Sequence, residues 1–218
     1  MLKFYYSRLS INARRVWVTL LEKNLEFESV ILKLNGDQFQ PDFLKLNPFH
    51  HIPVLVDREF KIFESLAILD YLEAKYPTPE FMPREIQDMT KVRMIEQVTV
   101  NEFPPASIVL MKEMLDVVVE EQKVEQAKKS IATTLQYFED NLAEDRAYLV
   151  GDKLTYADIV AGTAVAAIPN LNISLEPYSK LAKWLDNLNQ RPSWQQTASS
   201  PEEIERSKAI MKAILQRR

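Results

Sequence analysis

The hydrophobic positions change period near residue 77. Before it, short apolar runs rich in aromatic and β-branched residues, LKFYY (2–6), FESVIL (27–32), PVLV (53–56) and FKIF (60–63), alternate with spacings of three and four over residues 11–24 and 65–76. This alternation predicts a compact α/β unit over residues 1–76. The next stretch, YPTPEFMP, holds three prolines in eight residues. Proline removes a backbone donor and restrains the residue before it, so residues 77–84 are expected to form a linker.

Beyond the linker, residues 85–218 carry almost purely helical signals. Val124, Ala127, Ile131, Leu135, Phe138 and Leu142 recur at helical spacing, the mark of a helix with one buried stripe. GDKLTYADIVAG is a helix start: Thr155 can cap, Asp158 at the third helical position can reach back, and Leu154 can pack against Ile159. Further helices are expected over 177–190 and 202–216. The predicted class is therefore α/β followed by all-α.

Composition narrows the chemistry. With 218 residues, 46% of them apolar, the chain can bury a substantial core. It contains no cysteine, which excludes disulfides, thiolate metal sites and a cysteine nucleophile. The net charge of −4, with both signs interspersed, gives no basic footprint for a nucleic acid. No apolar run reaches the roughly 18–20 residues of a membrane span, and MLKFYYSRLS lacks the form of a secretory signal. A cytoplasmic protein with no membrane or nucleic-acid partner is expected.

Candidate chemistry lies at strand ends and helix starts. Ser10 follows the first strand and opens INARRVWVTLLEK, so its hydroxyl stands at the positive end of a helix dipole. Glu64 and Ser65 occupy the same kind of junction between FKIF and LAILDYLEAKY. NPFHHIPVLV holds both histidines, His50 and His51, ahead of Pro53. In an extended segment adjacent side chains point to opposite sides, so the pair is not expected to share a metal.

Taken in order, SINARRV, NPFHHIPVLV and FESLAILDYLEAKYP resemble the glutathione transferase family, and the resemblance extends through the linker and the LTYADI cap. It implies a thioredoxin-like N-terminal domain followed by an all-helical C-terminal domain carrying an electrophile pocket. In that family the proline entering the third strand is cis and its predecessor offers backbone groups to glutathione, which assigns those roles to Pro53 and Ile52. Glu64 and Ser65 would hold the γ-glutamyl end, and His51 would lie at the glycyl end. Ser10 matches the thiolate-stabilising serine of the phi-like and bacterial classes. Tyr5 and Tyr6, at the strand end where tyrosine-type classes keep that group, are the alternatives; Arg8 and Asn12 flank the same turn, and Arg14 is expected to support the helix. Related sequences often carry a basic pair where GDQFQPDF offers Gln38 and Phe39; Gln38 stays a glycyl-end candidate, and that end is expected to be held differently or less tightly. The resemblance further implies a homodimer, glutathione as co-substrate with no other cofactor or metal, and small hydrophobic electrophiles as acceptors. A non-catalytic ligand-binding or adaptor protein, and a glutathione-dependent isomerase, dehalogenase or peroxidase, are the alternatives.

Overall fold

The computed structural model describes residues 1–144 and 146–216. The chain forms two compact units, Met1–Glu80 with Pro192–Ile204, and Phe81–Arg191 with Glu205–Arg218.

In the first unit, the alternating apolar residues of β1 (Leu2–Tyr6) bury Leu2, Phe4 and Tyr6 on one face. After α1 (Ile11–Glu22) and β2 (Phe27–Ile31) come a 3₁₀ turn (Asp37–Phe39), α2 (Pro41–Leu44), β3 (Val54–Asp57), β4 (Phe60–Phe63) and α3 (Ser65–Lys75). The sheet order is β2-β1-β3-β4, with β1 and β2 parallel and the other two pairings antiparallel. This mixed sheet with flanking helices is the thioredoxin-like arrangement implied by the sequence. β3 begins one residue later than the apolar run PVLV, because Pro53 has no N–H for the ladder. The opposite sheet face buries Leu32, Phe43 and Val54, with Tyr5, Ile52 and Phe63 packed partly against them.

The start of the proline-rich stretch is anchored. The Lys23 side chain, fully buried, pairs with Glu73 at 2.8 Å. It also donates to the carbonyls of Tyr76 at 2.8 Å and Pro79 at 2.7 Å. These bonds tie residues 76–79 to α1, and the Thr78–Pro79 bond is cis.

The second unit is helical: α4 (Ile86–Met114), α5 (Glu121–Asn141), α6 (Tyr156–Val165), a 3₁₀ turn (Ile168–Leu171) and α7 (Ser179–Asn189). α4 continues through Pro104 and Pro105, which deprive the carbonyls of Val100 and Asn101 of their helical donors. Asn101 is exposed, so water can serve that carbonyl. α6 is buried along its whole length and forms the unit's centre, and α5 buries the stripe expected from Val124 to Phe138. Among the described residues, no helix is long and apolar enough to cross a membrane.

The chain then returns. Residues 192–204, read from sequence as part of the helical domain, belong with the first unit. There α8 (Pro192–Thr197) packs on α1: Arg14 donates to Thr197 Oγ1 and to the Trp194 carbonyl, both at 3.3 Å, and the Ser193 hydroxyl donates to the Glu22 carboxylate. Arg14 thus supports the helix, as expected. α9 (Pro201–Gln216) begins with the first unit and continues with the second.

Candidate active site

Between β1 and α1 the chain turns through residues 7–10, and Ser10 caps the helix. Its backbone is extended (φ −85°, ψ 114°), and its Oγ accepts the Ala13 N–H at 3.2 Å. The cap uses an oxygen lone pair and leaves the hydroxyl proton. No described residue accepts that proton, so a half-buried donor stands at the positive end of α1.

Two of the alternatives at this turn, Tyr6 and Arg8, are engaged elsewhere. Tyr6 is buried, its ring stacked on Phe4 at 4.7 Å and tilted against Trp17 at 4.9 Å. Its hydroxyl accepts from Ser29 at 3.1 Å. Ser29 lies opposite Phe4, two residues back along β1, so the phenol leans away from the turn. Tyr5 packs on the other face, 6.1 Å from the Phe43 ring. Arg8 lies 5.0 Å above the Trp17 ring and donates to Glu203 at 2.6 Å and to the Ala198 carbonyl at 3.0 Å, which fastens the returning segment to the turn. Asn12 is exposed on the first turn of α1.

At the start of β3, the Ile52–Pro53 bond is cis, as the resemblance implies. Asn47, buried and absent from the sequence-based candidates, organises the approach. Its amide nitrogen donates to the His51 carbonyl at 2.9 Å, its side-chain oxygen accepts the Phe49 N–H at 3.0 Å, and its carbonyl accepts the His50 N–H at 3.1 Å. The signal for it was Asn-Pro at residues 47–48, a turn-initiating pair. Among the described residues, no backbone bond engages the N–H or C=O of Ile52. That edge is open to an extended peptide.

The histidines require a correction. His50 takes a left-handed φ of 51°, which breaks the extended alternation expected for the segment. The rings are therefore not sent to opposite sides; their centroids lie 5.3 Å apart at right angles (86°). Among the described residues, no group of three or more His, Cys, Asp and Glu side chains could hold a metal ion.

Glu64 and Ser65 form the third part. Glu64 adopts φ 67°, a left-handed conformation that costs a residue with a Cβ about 1–3 kcal/mol. Its carboxylate is exposed, makes no capping bond, and has no partner among the described residues. Ser65 is buried at the first position of α3. Behind it lies Arg15, 1% exposed, whose Nη1 is 3.5 Å from Ser65 Oγ. Sequence reasoning missed Arg15 because periodicity alone does not tell a buried arginine from a solvated one. A buried guanidinium behind a helix N-terminus adds positive potential where Ser65 offers its hydroxyl and amide.

The sheet register brings these parts together. Tyr5 lies opposite Val54, so the turn after Tyr6 continues beside Pro53 and Ile52. Val54 lies opposite Phe63, so Glu64 and Ser65 continue beside the same two residues. One end of the sheet therefore presents an anion-binding helix start, an open backbone edge and a hydroxyl donor. This set can hold a short peptide with a zwitterionic head and stabilise an anion at its centre. Gln38 and His51 lie farther out, Gln38 in the first 3₁₀ turn and His51 exposed just before Ile52.

Residues 4–80 match the family model for the glutathione S-transferase N-terminal domain, and residues 94–192 match that for the C-terminal domain. Glutathione S-transferase F10 of Arabidopsis thaliana is 28% identical, covering 89% of this chain and 95% of that protein. Maleylacetoacetate isomerase of Rattus norvegicus is 31% identical, covering 77% and 78%. Among solved structures, a glutathione S-transferase from Rhodospirillum rubrum superimposes with a TM-score of 0.80 at 27% identity, covering 97% of this chain and 99% of the other.

Proposed function

The chain belongs to the glutathione S-transferase family, and on that premise we propose that it conjugates the glutathione thiolate to small hydrophobic electrophiles. The observation that carries the reading is the hydroxyl of Ser10, which caps α1 through its oxygen and keeps its proton to donate. Glutathione's γ-glutamyl carboxylate would sit at Ser65 and the N-terminus of α3, with its ammonium toward Glu64. The cysteinyl backbone would pair with Ile52 beside Pro53, and the thiol would face Ser10. A hydrogen bond donated to sulfur, near a helix N-terminus, favours thiolate over thiol. The thiolate then forms a bond to an electrophilic carbon, and the leaving group departs with its electron pair or, in an addition, the adduct takes up a proton. The proposed setting is the cytoplasm, the proposed state a homodimer and the proposed physiological role detoxification.

A second reading, glutathione-dependent cis–trans isomerisation, draws on the similarity to the rat isomerase. There the same thiolate would add reversibly to a double bond and leave again. Purified protein assayed with glutathione and a panel of haloarene, isothiocyanate, hydroperoxide and maleyl compounds tests both. Conjugation of haloarenes or isothiocyanates is the expected result. Turnover confined to maleyl compounds would favour the isomerase, and glutathione binding without turnover would favour a non-catalytic binding protein.

A further inference from the structure

A hydroxyl that stabilises an anion needs a fixed place as well as a free proton, because a misplacement of about 1 Å at a reacting group can cost about a hundredfold in rate. On its downstream side Ser10 is held by the cap bond from the Ala13 N–H. On its upstream side it ends the turn Ser7 to Ser10, closed by one backbone bond from the Ser10 N–H to the Ser7 carbonyl at 3.1 Å. Arg8 and Leu9, the middle of that turn, belong to neither the sheet nor α1. The turn is gripped instead from residues 198–203, which belong to the same unit. The Ser199 hydroxyl donates to the Arg8 carbonyl at 3.1 Å. The Arg8 guanidinium lies 5.0 Å above the Trp17 ring and donates to the Ala198 carbonyl at 3.0 Å and to Glu203 Oε1 at 2.6 Å.

The Glu203 carboxylate divides its oxygens between two tasks. While Oε1 takes Arg8, Oε2 accepts the Ser200 N–H at 2.8 Å, and the Glu203 N–H donates to Ser200 Oγ at 3.2 Å. That is a capping box, so the start of α9 that orients the acid also orients Arg8. Both side chains of the ion pair are about one-third exposed, at 30% and 34%, and solvent screens it. Its effect lies in direction more than in stability. Charge alone gives no reason for an acid here. A carboxylate near a thiol disfavours the thiolate, and the pairing also cancels the charge with which Arg8 could favour it. Charge and position therefore predict opposite signs for the loss of Glu203. The other charges in the first turns of α1 and α9, Arg14 and Glu202, leave that contrast unaltered.

We propose that Glu203 is a positioning residue for the reaction: by gripping Arg8 it fixes the turn that sets the Ser10 hydroxyl toward the glutathione sulfur. The proposal rests on the reading of Ser10 as the thiolate stabiliser. The test is a pH titration of glutathione bound to the full chain, followed by the ultraviolet absorbance of its thiolate, with turnover measured alongside. Glu203→Ala should raise the thiol's midpoint by about half to one pH unit and lower kcat about three- to tenfold with little change in KM. The effect is smaller than that of Ser10→Ala because the hydroxyl is misplaced and not lost. Glu203→Gln keeps one acceptor oxygen and should give a smaller rise in the same direction. In a Ser10→Ala background, Glu203→Ala should produce no upward shift, since no hydroxyl remains to be placed. Ser200→Ala, which weakens the α9 cap and spares the bond to Arg8, should leave the native midpoint unmoved. A midpoint that stays or falls in Glu203→Ala overturns the proposal, as does a rise that persists without the Ser10 hydroxyl or that Ser200→Ala reproduces. A bound thiol that titrates in the native protein as it does in free glutathione would instead remove the reading of Ser10, and the proposal with it.

Discussion

The starts of α3 and α6 are both helix N-termini carrying an acidic residue, and they are finished in opposite ways. At α6, Asp158 is fully buried and its carboxylate accepts four bonds. The donors are the Leu149 N–H at 2.8 Å, the Thr155 N–H at 2.9 Å, the Thr155 hydroxyl at 2.9 Å and Trp184 Nε1 at 3.0 Å. Thr155 and Asp158 form the capping box that the sequence predicts, and the Thr155 hydroxyl also donates to the carboxylate, a stronger acceptor than a neutral oxygen. At α3, Glu64 is exposed in a left-handed conformation and caps nothing. The α6 terminus completes its hydrogen bonding within its own unit and serves the fold. The α3 terminus bears strain and an unused carboxylate beside an open backbone edge, which is what a ligand site requires.

The largest effect should come from breaking the finished terminus. Burial pushes the Asp158 carboxyl up, and its four donors pull against that shift. Asp158→Ala would remove the acceptor and strand three buried N–H groups, from Leu149, Thr155 and Trp184, at a cost of about 3–5 kcal/mol. Urea unfolding should show the midpoint collapse, with a smaller loss for Asp158→Asn, which keeps one acceptor oxygen. A loss under about 1 kcal/mol in Asp158→Ala would mean that water replaces the carboxylate and that the contrast with α3 is false.

Next in size is Ser10, whose oxygen serves the fold and whose proton is free for chemistry. Ser10→Ala should lower turnover at neutral pH by about ten- to a hundredfold, the worth of one to two pKa units at the thiol. The midpoint of the pH–rate profile should rise with it. Loss of the cap alone should cost about 1 kcal/mol of stability, measured separately by denaturation. Full activity with an unmoved midpoint in Ser10→Ala, together with loss of both in Tyr5→Phe, would transfer the role to the tyrosine.

Ser10, Pro53 and the cap at Thr155 were legible because each depends on a few neighbouring residues. A small polar residue after a strand caps the next helix, an apolar run behind proline becomes a strand, and Thr-x-x-Asp before an apolar run starts a helix. What escaped the sequence depends on residues far apart. The Arg8–Glu203 pair spans most of the chain, and Arg14 meets α8 only because the chain returns, so neither leaves a local pattern. The left-handed turn at His50 escaped because the bonds of Asn47 impose it against the extended preference of the segment. Tyr6 was ambiguous until the sheet register showed where its hydroxyl went.

The unfinished terminus can be tested with less disruption. Ser65→Ala should weaken glutathione binding by about 1–2 kcal/mol, one hydrogen bond to a charged group, with the main cost in affinity and not in turnover at saturation. Glu64→Gln should act in the same direction through the ammonium. Because Glu64 caps nothing, that variant should unfold at the native urea concentration. If either change alters stability and spares affinity, α3 begins with a structural cap like that of α6.

The smallest effect concerns a third carboxylate that lies between these extremes. Asp57, at the end of β3, is buried and accepts from the Tyr71 hydroxyl at 2.7 Å and from the Lys75 ammonium. The bond from Lys75, followed by that from Tyr71, holds its carboxyl below the usual carboxylate range. A depressed folded-state pKa means that the ionised form stabilises the fold above the unfolded value, near 4, and that this contribution disappears as pH falls through the folded value. Lys75 is partly exposed, so solvent screens the pair. Asp57→Asn should therefore cost only about 1 kcal/mol at pH 7. Urea unfolding of native protein and variant at pH 7, 5 and 3 should give curves that converge at the lowest pH. A difference that stays constant from pH 7 to 3 would show that Asp57 acts through packing and not, like Asp158, through the bonding of its carboxylate.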